Sequence, residues 1–399
     1  MHILQVCKKP PWPAHDGETV AITNLAQGLV NSGHQVTIAA IATPKHPLVS
    51  TRITLETHGY ANLHTVFVDT TLRTGPALTN LLFSRAPYQI TRFLSAEFSS
   101  LLQRLVREVS FDIIQLEGLA LTEYLPVIRH STKIPVVMRS HNVEHRIWSG
   151  IARHERRLLR RLYLMNLARR LKRYELQHLN DYDGVVPITE TDAEVFRSAG
   201  CRIPMLPLPM GIDMNIYRHN GIALRDHLFI FGSWDWIPNQ DGLRWFAREV
   251  WPAIRKRLPS LRLVIAGRNA PEEFQGFNVD GMEFIGEVDS APAFYKRNGV
   301  MVVPLLSGSG LRIKIVEAMA AGVPVVSTTV GAQGIQARSG EHLMIADEPE
   351  AFSDAIVRCI SSAELQQTLS HNASALAQQE FDITRLSEKL VAFYRKLAS

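Results

Sequence analysis

The segment from Ser307 to Glu317, SGSGLRIKIVE, combines a glycine-rich turn with three charged side chains. Free backbone N–H groups in such a turn, and the N-terminus of the helix predicted after it, together favour a bound anion. Arg312 and Lys314 lie in the first turn of this helix, where the helix dipole disfavours cations. This exception indicates an anion beside them, and a diphosphate fits the pattern. Glu317 shares the face of Lys314 and is placed to accept hydrogen bonds from ribose hydroxyls.

The elements around this segment predict a strand, a turn, a helix and a second strand. Pro304 ends an apolar run, Gly322 and Pro324 end the helix, and VPVVST is typical of a buried parallel strand. These residues alone leave an alternative open, which is an ordinary surface turn whose charges are solvated.

The longer string closely resembles the nucleotide-sugar signature of family-4 glycosyltransferases, which are retaining enzymes of GT-B fold. The shared pattern is EAMAAGVPVV at 317–326, followed by Thr328 and a turn from Gly331 to Gly334. The resemblance covers nearly the whole chain, and its specific motifs lie in residues 228–335. It implies an α/β protein with two doubly wound Rossmann-like domains facing across a cleft. The C-terminal helix is expected to cross back to the first domain.

Strands that alternate with helices along both halves also favour doubly wound parallel sheets. The domains that the resemblance implies are an N-terminal acceptor-binding domain (1–205) and a C-terminal nucleotide-sugar-binding domain (206–382). Residues 383–399 are predicted to form the helix that packs back on the first domain. The length of 399 residues is sufficient for two domains of ordinary size.

The resemblance also implies a set of functional residues. His141 is implied to meet the donor sugar, and Arg312 and Lys314 to stabilise the leaving diphosphate; these three are the predicted catalytic residues. The predicted donor-binding residues are Gly17, Asn239, Arg268, Val288, Ser309, Gly310, Leu311 and Glu317. For His141 the alternative is a satisfied polar residue at a sheet edge. For Asn239, a helix cap is an equal alternative.

Two positions depart from the family pattern. Ser309 stands where many members carry a first glutamate that contacts the donor sugar. The loop FGSWDWIPNQDGLRWF (231–246) has no basic residue before Arg244, although many relatives contact the diphosphate from this loop. We therefore expect Arg312 and Lys314 to supply that positive charge, with no metal and no cofactor. Trp234 and Trp236 in the same loop are predicted to be core residues.

Composition limits the class of protein further. Three widely spaced cysteines favour a reducing compartment without a disulfide or zinc framework. No run of about 18 apolar residues predicts a membrane span. The chain is therefore expected to be cytoplasmic. The basic helical pattern at 151–178 predicts either peripheral attachment to an anionic membrane surface or a long helix that packs on the sheet.

The expected function is transfer of a sugar from a nucleoside-diphosphate sugar to an acceptor hydroxyl, on a saccharide or a lipid-linked acceptor, with retained anomeric configuration. One alternative is a nucleotide-sugar 2-epimerase of the same fold, and a second is a non-catalytic sugar-nucleotide binder, suggested by Ser309. A nucleic-acid-binding module is disfavoured, because no recognition motif interleaves aromatic residues with the basic segment.

Overall fold

A computed structural model describes residues 1–14, 17–47, 62–84, 86–155, 157–217, 226–275, 280–297, 299–308 and 310–399. The chain divides into two compact units: Met1–Gly211 with Ile383–Ser399, and Ile212–Asp382. Each unit contains one six-stranded parallel sheet covered by helices. The doubly wound α/β class predicted from the alternating pattern is confirmed.

The sheet of the first unit has the strand order β3-β2-β1-β4-β5-β6. Its strands are β1 (His2–Cys7), β2 (Gln35–Ala42), β3 (Asn62–Phe67), β4 (Ile113–Glu117), β5 (Val136–Ser140) and β6 (Gly184–Pro187). Every residue of β4, β5 and β6 is buried, as expected where helices cover both faces of a parallel sheet. The central strands therefore appear in the sequence as short, nearly continuous apolar runs.

Nine α-helices and one 3₁₀ helix, Leu119–Tyr124, accompany these strands in the described part of the first unit. The α-helices are α1 (Gly17–Asn31), α2 (Thr74–Phe83), α3 (Tyr88–Thr91), α4 (Ala96–Glu108), α5 (Leu125–Ser131), α6 (Glu144–His154), α7 (Leu158–Gln177), α8 (Glu190–Ser198) and the final helix, α17 (Ile383–Ala398). The sequence pattern at 151–178 suggested one continuous basic helix, and this is wrong. Helix α6 ends at His154 and α7 begins at Leu158.

The sheet of the second unit has the order β12-β11-β10-β7-β8-β9. Its strands are β7 (Leu228–Phe231), β8 (Leu263–Ala266), β9 (Met282–Gly286), β10 (Val300–Val303), β11 (Val325–Ser327) and β12 (Met344–Ile345). Its helices are α9 (Met214–Tyr217), α10 (Ile237–Trp245), α11 (Trp251–Arg257), α12 (Glu272–Gln275), α13 (Ala291–Arg297), α14 (Ile313–Ala320), α15 (Pro349–Ser361) and α16 (Ala363–Phe381). A π-helical turn, Phe246–Val250, joins α10 to α11, in which Pro252 is the second residue. Proline lacks a backbone N–H, which favours such an irregular turn.

Both sheets follow the same doubly wound order. In the first unit, strands β1 to β3 extend the sheet in one direction, and the chain then returns to place β4 on the other side of β1. In the second unit the chain returns in the same way to place β10 on the other side of β7. Ligands of open α/β sheets bind beyond the carboxyl ends of the strands at such a strand reversal. The loops after β1, β4, β7 and β10 are therefore the places to search for a site.

The final helix packs on the first unit against α1, as predicted. Its buried residues Leu386, Leu390 and Tyr394 join the core that α1 and the sheet share. Gly28 of α1 lets the helices approach closely, because a Cβ at this position would overlap Ser387 and Ile383.

Candidate functional site

The glycine-rich turn follows β10, at the strand reversal of the second unit, and leads into α14. Gly308 and Gly310 have positive φ angles of 125° and 85°, which side chains rarely adopt. Gly308 also packs closely, since a Cβ there would lie 3.1 Å from the Trp236 ring. Ser309, predicted to contact the donor, lies outside the described residues. The predicted turn-to-helix arrangement is otherwise confirmed.

Arg312 occupies the N-cap position of α14 and stacks on an aromatic ring. Its guanidinium carbon lies 4.8 Å from the centroid of the Trp236 ring, and the residue is 9% exposed. A cation over an aromatic face is attracted by the ring quadrupole, which fixes the guanidinium at the start of the helix. Trp234 is a core residue, as predicted, whereas Trp236 is half-buried and contacts this cation.

Lys314 lies beside the loop that follows β7. Its Nζ donates to the carbonyl oxygen of Phe231 at 3.1 Å and to Asn239 Oδ1 at 3.0 Å. Asn239 in turn donates to the carbonyl oxygen of Ser233 at 2.7 Å. Burial, reinforced by the charge of Arg312, lowers the pKa of Lys314 to about 7. An ammonium has three donors, and these two hydrogen bonds use two of them.

The alternative interpretation of Asn239 as a helix cap is wrong. The N-cap of α10 is Trp236, with no side-chain capping hydrogen bond, and Asn239 lies inside the helix. Its amide instead joins the loop after β7 to Lys314 of α14. The structure therefore brings together two of the predicted residues, Asn239 and Lys314, from opposite sides of the strand reversal.

Glu317, one turn further along α14, accepts two phenolic hydrogen bonds that the sequence did not reveal. Tyr217 donates to Oε1 at 2.8 Å, and Tyr295 donates to Oε2 at 3.1 Å. Burial raises the pKa of Glu317, and the two hydroxyl donors partly offset this effect. Because each carboxylate oxygen accepts two hydrogen bonds, one position on each oxygen remains for another donor.

A surface cavity of about 380 Å³ lies at the carboxyl ends of β8 and β9. Its lining residues are Gly267, Arg268, Asn269, Ala270, Phe284, Ile285, Gly286 and Glu287. Arg268 contacts the loop after β7 through a hydrogen bond from Nε to Ser233 Oγ at 3.4 Å. Val288 and Leu311, two other predicted donor contacts, pack against the core of this unit.

His141 follows β5 in the first unit and lies against a carboxylate at the end of β4. Its Nε2 is 2.8 Å from Glu117 Oε2, and the two residues are 7% and 0% exposed. Glu117 was not among the functional residues predicted from the sequence. The available signal was an acidic residue at the end of an otherwise apolar strand, IIQLE, beside the strand reversal.

Glu18, next to the predicted donor contact Gly17, forms ion pairs with the loop after β1. Its Oε2 lies 3.2 Å from Lys8 Nζ and 3.3 Å from Lys9 Nζ. Burial acts to raise the pKa of Glu18, but Lys8, His141 and Lys9 outweigh it and lower the pKa. Among the described residues, no atom lies within 4 Å of a Cβ built at Gly17, so those residues do not themselves require glycine there.

A second buried histidine pair lies at the start of α6. His145 Nδ1 is 2.6 Å from Glu175 Oε2, and Glu175 also accepts from the backbone N–H of Glu144 at 3.0 Å. The N-cap of this helix is Val143, which makes no side-chain capping bond. Glu175 of α7 satisfies these N–H groups instead. Burial raises the pKa of Glu144.

The described residues also limit the metal, membrane and thiol chemistry of the protein. No group of three or more histidine, cysteine, aspartate or glutamate residues is arranged there to hold a metal ion. In the same residues, every helix is too short or too polar to cross a membrane. The three cysteines are free thiols, of which Cys7 and Cys359 are buried.

Comparison with known proteins gives related bacterial sequences, and the chain spans less than two thirds of the length of the relatives that follow. The chain is 24% identical over 258 residues to an uncharacterized 44.6 kDa protein in the cps region of Klebsiella pneumoniae, covering 62% of this chain and 65% of that protein. It is 30% identical over 158 residues to the phosphatidyl-myo-inositol mannosyltransferase of Mycobacterium leprae, covering 38% of this chain and 42% of that protein. A lipopolysaccharide core biosynthesis mannosyltransferase, LpsB of Rhizobium meliloti, is 30% identical over 122 residues, or 30% of this chain and 34% of that protein.

Solved structures match the fold over the full length. Anabaena Alr3699/HepE in complex with UDP matches with a TM-score of 0.66 at 16% identity, over 99% of this chain and 100% of that chain. A sucrose-phosphate synthase from Thermosynechococcus elongatus matches with a TM-score of 0.67 at 15% identity, over 100% and 99% of the two chains. The predicted GT-B fold is thereby confirmed.

Two family models match successive parts of the chain. The model of glycosyl transferases group 1 matches residues 225–362, which contain the glycine-rich turn and α14. The model of Glycosyltransferase Family 4 matches residues 16–215, or half of the chain. The chain belongs to glycosyltransferase family 4.

Proposed function

We propose that this protein transfers a hexosyl group from a nucleoside-diphosphate sugar to an acceptor hydroxyl, with retention of the anomeric configuration. The observation that carries the proposal is the cluster at the strand reversal of the second unit. There a helix N-terminus, Arg312 and Lys314 provide positive charge, and Glu317 lies one turn further. This order of groups fits a diphosphate followed by a ribose.

In this proposal the second unit holds the nucleotide of the donor. The cavity beside Arg268 and Glu287 is adjacent to the cluster through Ser233 and has room for the base. Glu317 accepts from the ribose hydroxyls, and Lys314 and Arg312 hold the diphosphate. Gly310, Leu311, Val288 and Ser309 remain proposed contacts on the basis of family resemblance.

Catalysis in this proposal depends on charge stabilisation and positioning. Negative charge grows on the diphosphate as the glycosidic bond breaks, and preorganised cations beside it lower the barrier. His141 of the first unit is proposed to contact the transferred sugar, and Gly17 to allow close approach of the donor. The first unit is proposed to bind the acceptor. We propose that side chains fulfil the role that a metal ion has in other glycosyltransferases.

The acceptor is proposed to be a saccharide or a lipid-linked saccharide used in polysaccharide or glycolipid synthesis. Two relatives carry the names phosphatidyl-myo-inositol mannosyltransferase and lipopolysaccharide core biosynthesis mannosyltransferase, and a third belongs to a cps region. These names support a membrane-associated acceptor and make a mannosyl donor the first to test.

A thermal-shift screen with UDP-, GDP-, ADP- and TDP-sugars tests this function. A ligand that binds only the folded protein raises its stability, so one base should raise the melting temperature above the others. The selected donor is then incubated with and without acceptor. The proposal would be refuted if no donor stabilised the protein, or if the protein converted the donor alone to its 2-epimer.

Donor binding should also depend on pH, because Lys314 must be charged to hold a diphosphate. Its pKa of about 7 in the free protein means that half of the side chains are neutral near that pH. The bound diphosphate favours the ammonium and raises the pKa, so binding takes up a proton. We expect affinity to fall by up to about tenfold per unit as the pH rises from about 7 to about 9.

Calorimetry at pH 8 in two buffers of different ionisation enthalpy measures this proton uptake directly. The parent protein should take up close to one proton per donor bound, and Lys314→Met should take up markedly less. The exposed Lys256→Met is the matched control and should behave as the parent. Equal proton uptake by the parent and Lys314→Met would exclude Lys314 as the titrating group.

Peripheral attachment to an anionic membrane is the proposed location, and helix α7 supports it. Leu158, Leu159, Leu162 and Met165 are 69%, 83%, 54% and 44% exposed. Arg161 and Arg169 lie on the same side at helical spacing and are exposed. The alternative, a helix that packs on the sheet, describes Leu164, Leu167 and Leu171, which are buried, but not these four exposed residues. The surface therefore combines positive charge with apolar area.

We expect the protein to sediment with vesicles of rising anionic content, and more weakly at high salt. Each basic residue near such a surface contributes on the order of 1 kcal/mol, and salt screens it. Arg161→Gln/Arg169→Gln should reduce the salt-sensitive part of the binding, and Leu158→Ser/Leu159→Ser should reduce the part that survives high salt. Arg104→Gln/Arg107→Gln on α4 is the charge-matched control. Equal binding to neutral and anionic vesicles, or none at low salt, would contradict this location.

A further inference from the structure

A buried chain of hydrogen bonds in the first unit leads from the final helix to His141. Tyr394 of α17 donates its hydroxyl to Gln115 Oε1, and Gln115 Nε2 donates to Glu117 Oε1. Gln5 of β1 donates to the same oxygen at 3.2 Å. Glu117 Oε2 faces His141 Nε2 at 2.8 Å. Three neighbouring strands and the final helix thus converge on one carboxyl group.

The direction of these hydrogen bonds favours an ionised Glu117. Two amide N–H groups donate to Oε1, and donors of this kind stabilise a carboxylate. Arg139, the β5 partner of Glu117 in the strand register, is 1% exposed and supplies a buried positive charge nearby. Burial, together with the charge of Glu117, raises the pKa of Tyr394, so its hydroxyl stays neutral and donates.

A carboxylate accepts and does not donate, so the hydrogen bond to Oε2 must come from a protonated Nε2 of His141. In a neutral imidazole the other nitrogen, Nδ1, then carries the lone pair. The pair at His145 has the opposite arrangement, because there it is Nδ1 that faces the carboxylate of Glu175. The structure therefore contains two buried histidines with opposite expected tautomers.

We propose that Glu117 is a positioning residue that holds His141 with its proton on Nε2, which leaves Nδ1 as the nitrogen that contacts the reacting sugars. The proposal rests on the function proposed above, since that function gives His141 its role. Glu117 acts only through His141 and touches no substrate. Tyr394 and Gln115 belong to the same network and link the final helix to the orientation of the ring.

The first test is the NMR spectrum of the ¹⁵N-histidine-labelled parent protein at a pH where imidazole is neutral. Long-range ring correlations should show His141 protonated at Nε2 and His145 protonated at Nδ1. His141→Gln identifies the signals by their loss. A His141 ring protonated at Nδ1 with a bare Nε2 would overturn the proposal, and this result requires no variant of Glu117 to fold.

The second test combines Glu117→Gln with kinetics. Glutamine keeps the shape but can also donate to Nε2, so both His141 tautomers should appear while the His145 signals stay unchanged. The kcat for transfer should fall by about tenfold to a hundredfold, with little change in the donor KM, because misplacing a group that contacts the reacting sugars costs up to about a hundredfold in rate. Tyr394→Phe should lower kcat by about twofold to tenfold, the range of one neutral hydrogen bond.

The matched control is Glu123→Gln, which removes a carboxylate that accepts from the Tyr174 hydroxyl in the same unit. It should leave kcat and the His141 signals unchanged. The proposal would be overturned if Glu117→Gln had the same kcat as the parent and the same single tautomer of His141. The NMR measurement uses no substrate, so absence of transfer by the parent protein would refute the proposed function without altering the tautomer result.

Discussion

Replacing Lys314 by methionine is expected to slow sugar transfer by about a hundredfold to a thousandfold, the usual cost of removing one preorganised transition-state donor. Donor binding should weaken by a smaller factor, because the diphosphate is already charged when the donor binds and gains further negative charge as the glycosidic bond breaks. Lys314 is held at 3.1 Å from the Phe231 carbonyl oxygen and at 3.0 Å from Asn239 Oδ1. A positioned cation of this kind needs little reorganisation during the reaction.

The measurement is single-turnover transfer by the parent, Lys314→Met and Lys256→Met, which loses the same charge from an exposed position on α11. Asn239→Ala should have an intermediate effect, since it removes a support of Lys314 and not the charge. Arg312→Gln should slow transfer as well, because its guanidinium is held beside the same turn by Trp236. Parent-like transfer rates in both Lys314→Met and Arg312→Gln would refute the assignment, and abolition of transfer by a chelator would favour a metal ion instead.

The sequence predicted the elements that carry the strand reversal of the second unit, because they have strong local signals. The buried strand β10 is apolar throughout, the turn after it is rich in glycine, and α14 ends at Gly322 and Pro324. Each signal lies within a few residues of the element that it specifies. Strands with weaker signals were missed: β3 contains Asn62, His64 and Thr65, and β12 has only two residues.

The partners of the site residues were not predictable because they are distant in the chain. Tyr217 lies 100 residues from Glu317, and Glu117 lies 24 residues from His141. A single sequence gives no measure of such proximity, and only the sheet order brings these residues together. Tyrosine in short helices is also ordinary in a core, so neither Tyr217 nor Tyr295 differed from a packing residue.

The capping role considered for Asn239 shows how a local sequence rule for helix N-termini can fail. Asparagine before a helix is a strong capping signal, and an N-terminus at 240 would have satisfied it. The helix begins earlier, at Ile237, with Pro238 at its start, and Asn239 is drawn toward Lys314. A tertiary hydrogen bond with Lys314 thus takes the place of the local capping bond.

Replacing Glu317 by alanine is expected to weaken donor binding by about 1.5–3 kcal/mol, the range for hydrogen bonds to a charged group. One accepting position remains on each carboxylate oxygen beside the Tyr217 and Tyr295 hydroxyls, which suits two ribose hydroxyls. The two phenols fix the carboxylate in place, so little ordering is needed on binding. Calorimetry with the donor selected by the thermal-shift screen measures the effect.

Alanine also leaves two buried tyrosine hydroxyls without their acceptor, so a structural loss must be separated from a lost contact with ribose. Tyr217→Phe/Tyr295→Phe removes the same two internal hydrogen bonds but keeps the carboxylate. This control should lose thermal stability while retaining most of the donor affinity. A loss of affinity equal to that of Glu317→Ala would assign the effect to the tyrosines and not to ribose recognition.

The sharper form of this experiment varies the ligand together with the protein. The parent should prefer the ribonucleotide over its 2′-deoxy and 3′-deoxy analogues, and Glu317→Ala should lose that preference. The interaction energy between the Glu317→Ala substitution and the removal of a ribose hydroxyl then reports the contact itself. Any loss of affinity that the substitution causes equally for the ribonucleotide and the deoxy analogue cancels in this comparison. If Glu317→Ala, with an intact fold, still discriminated against the deoxy analogues as strongly as the parent, the ribose would have to be recognised by another residue of the second unit.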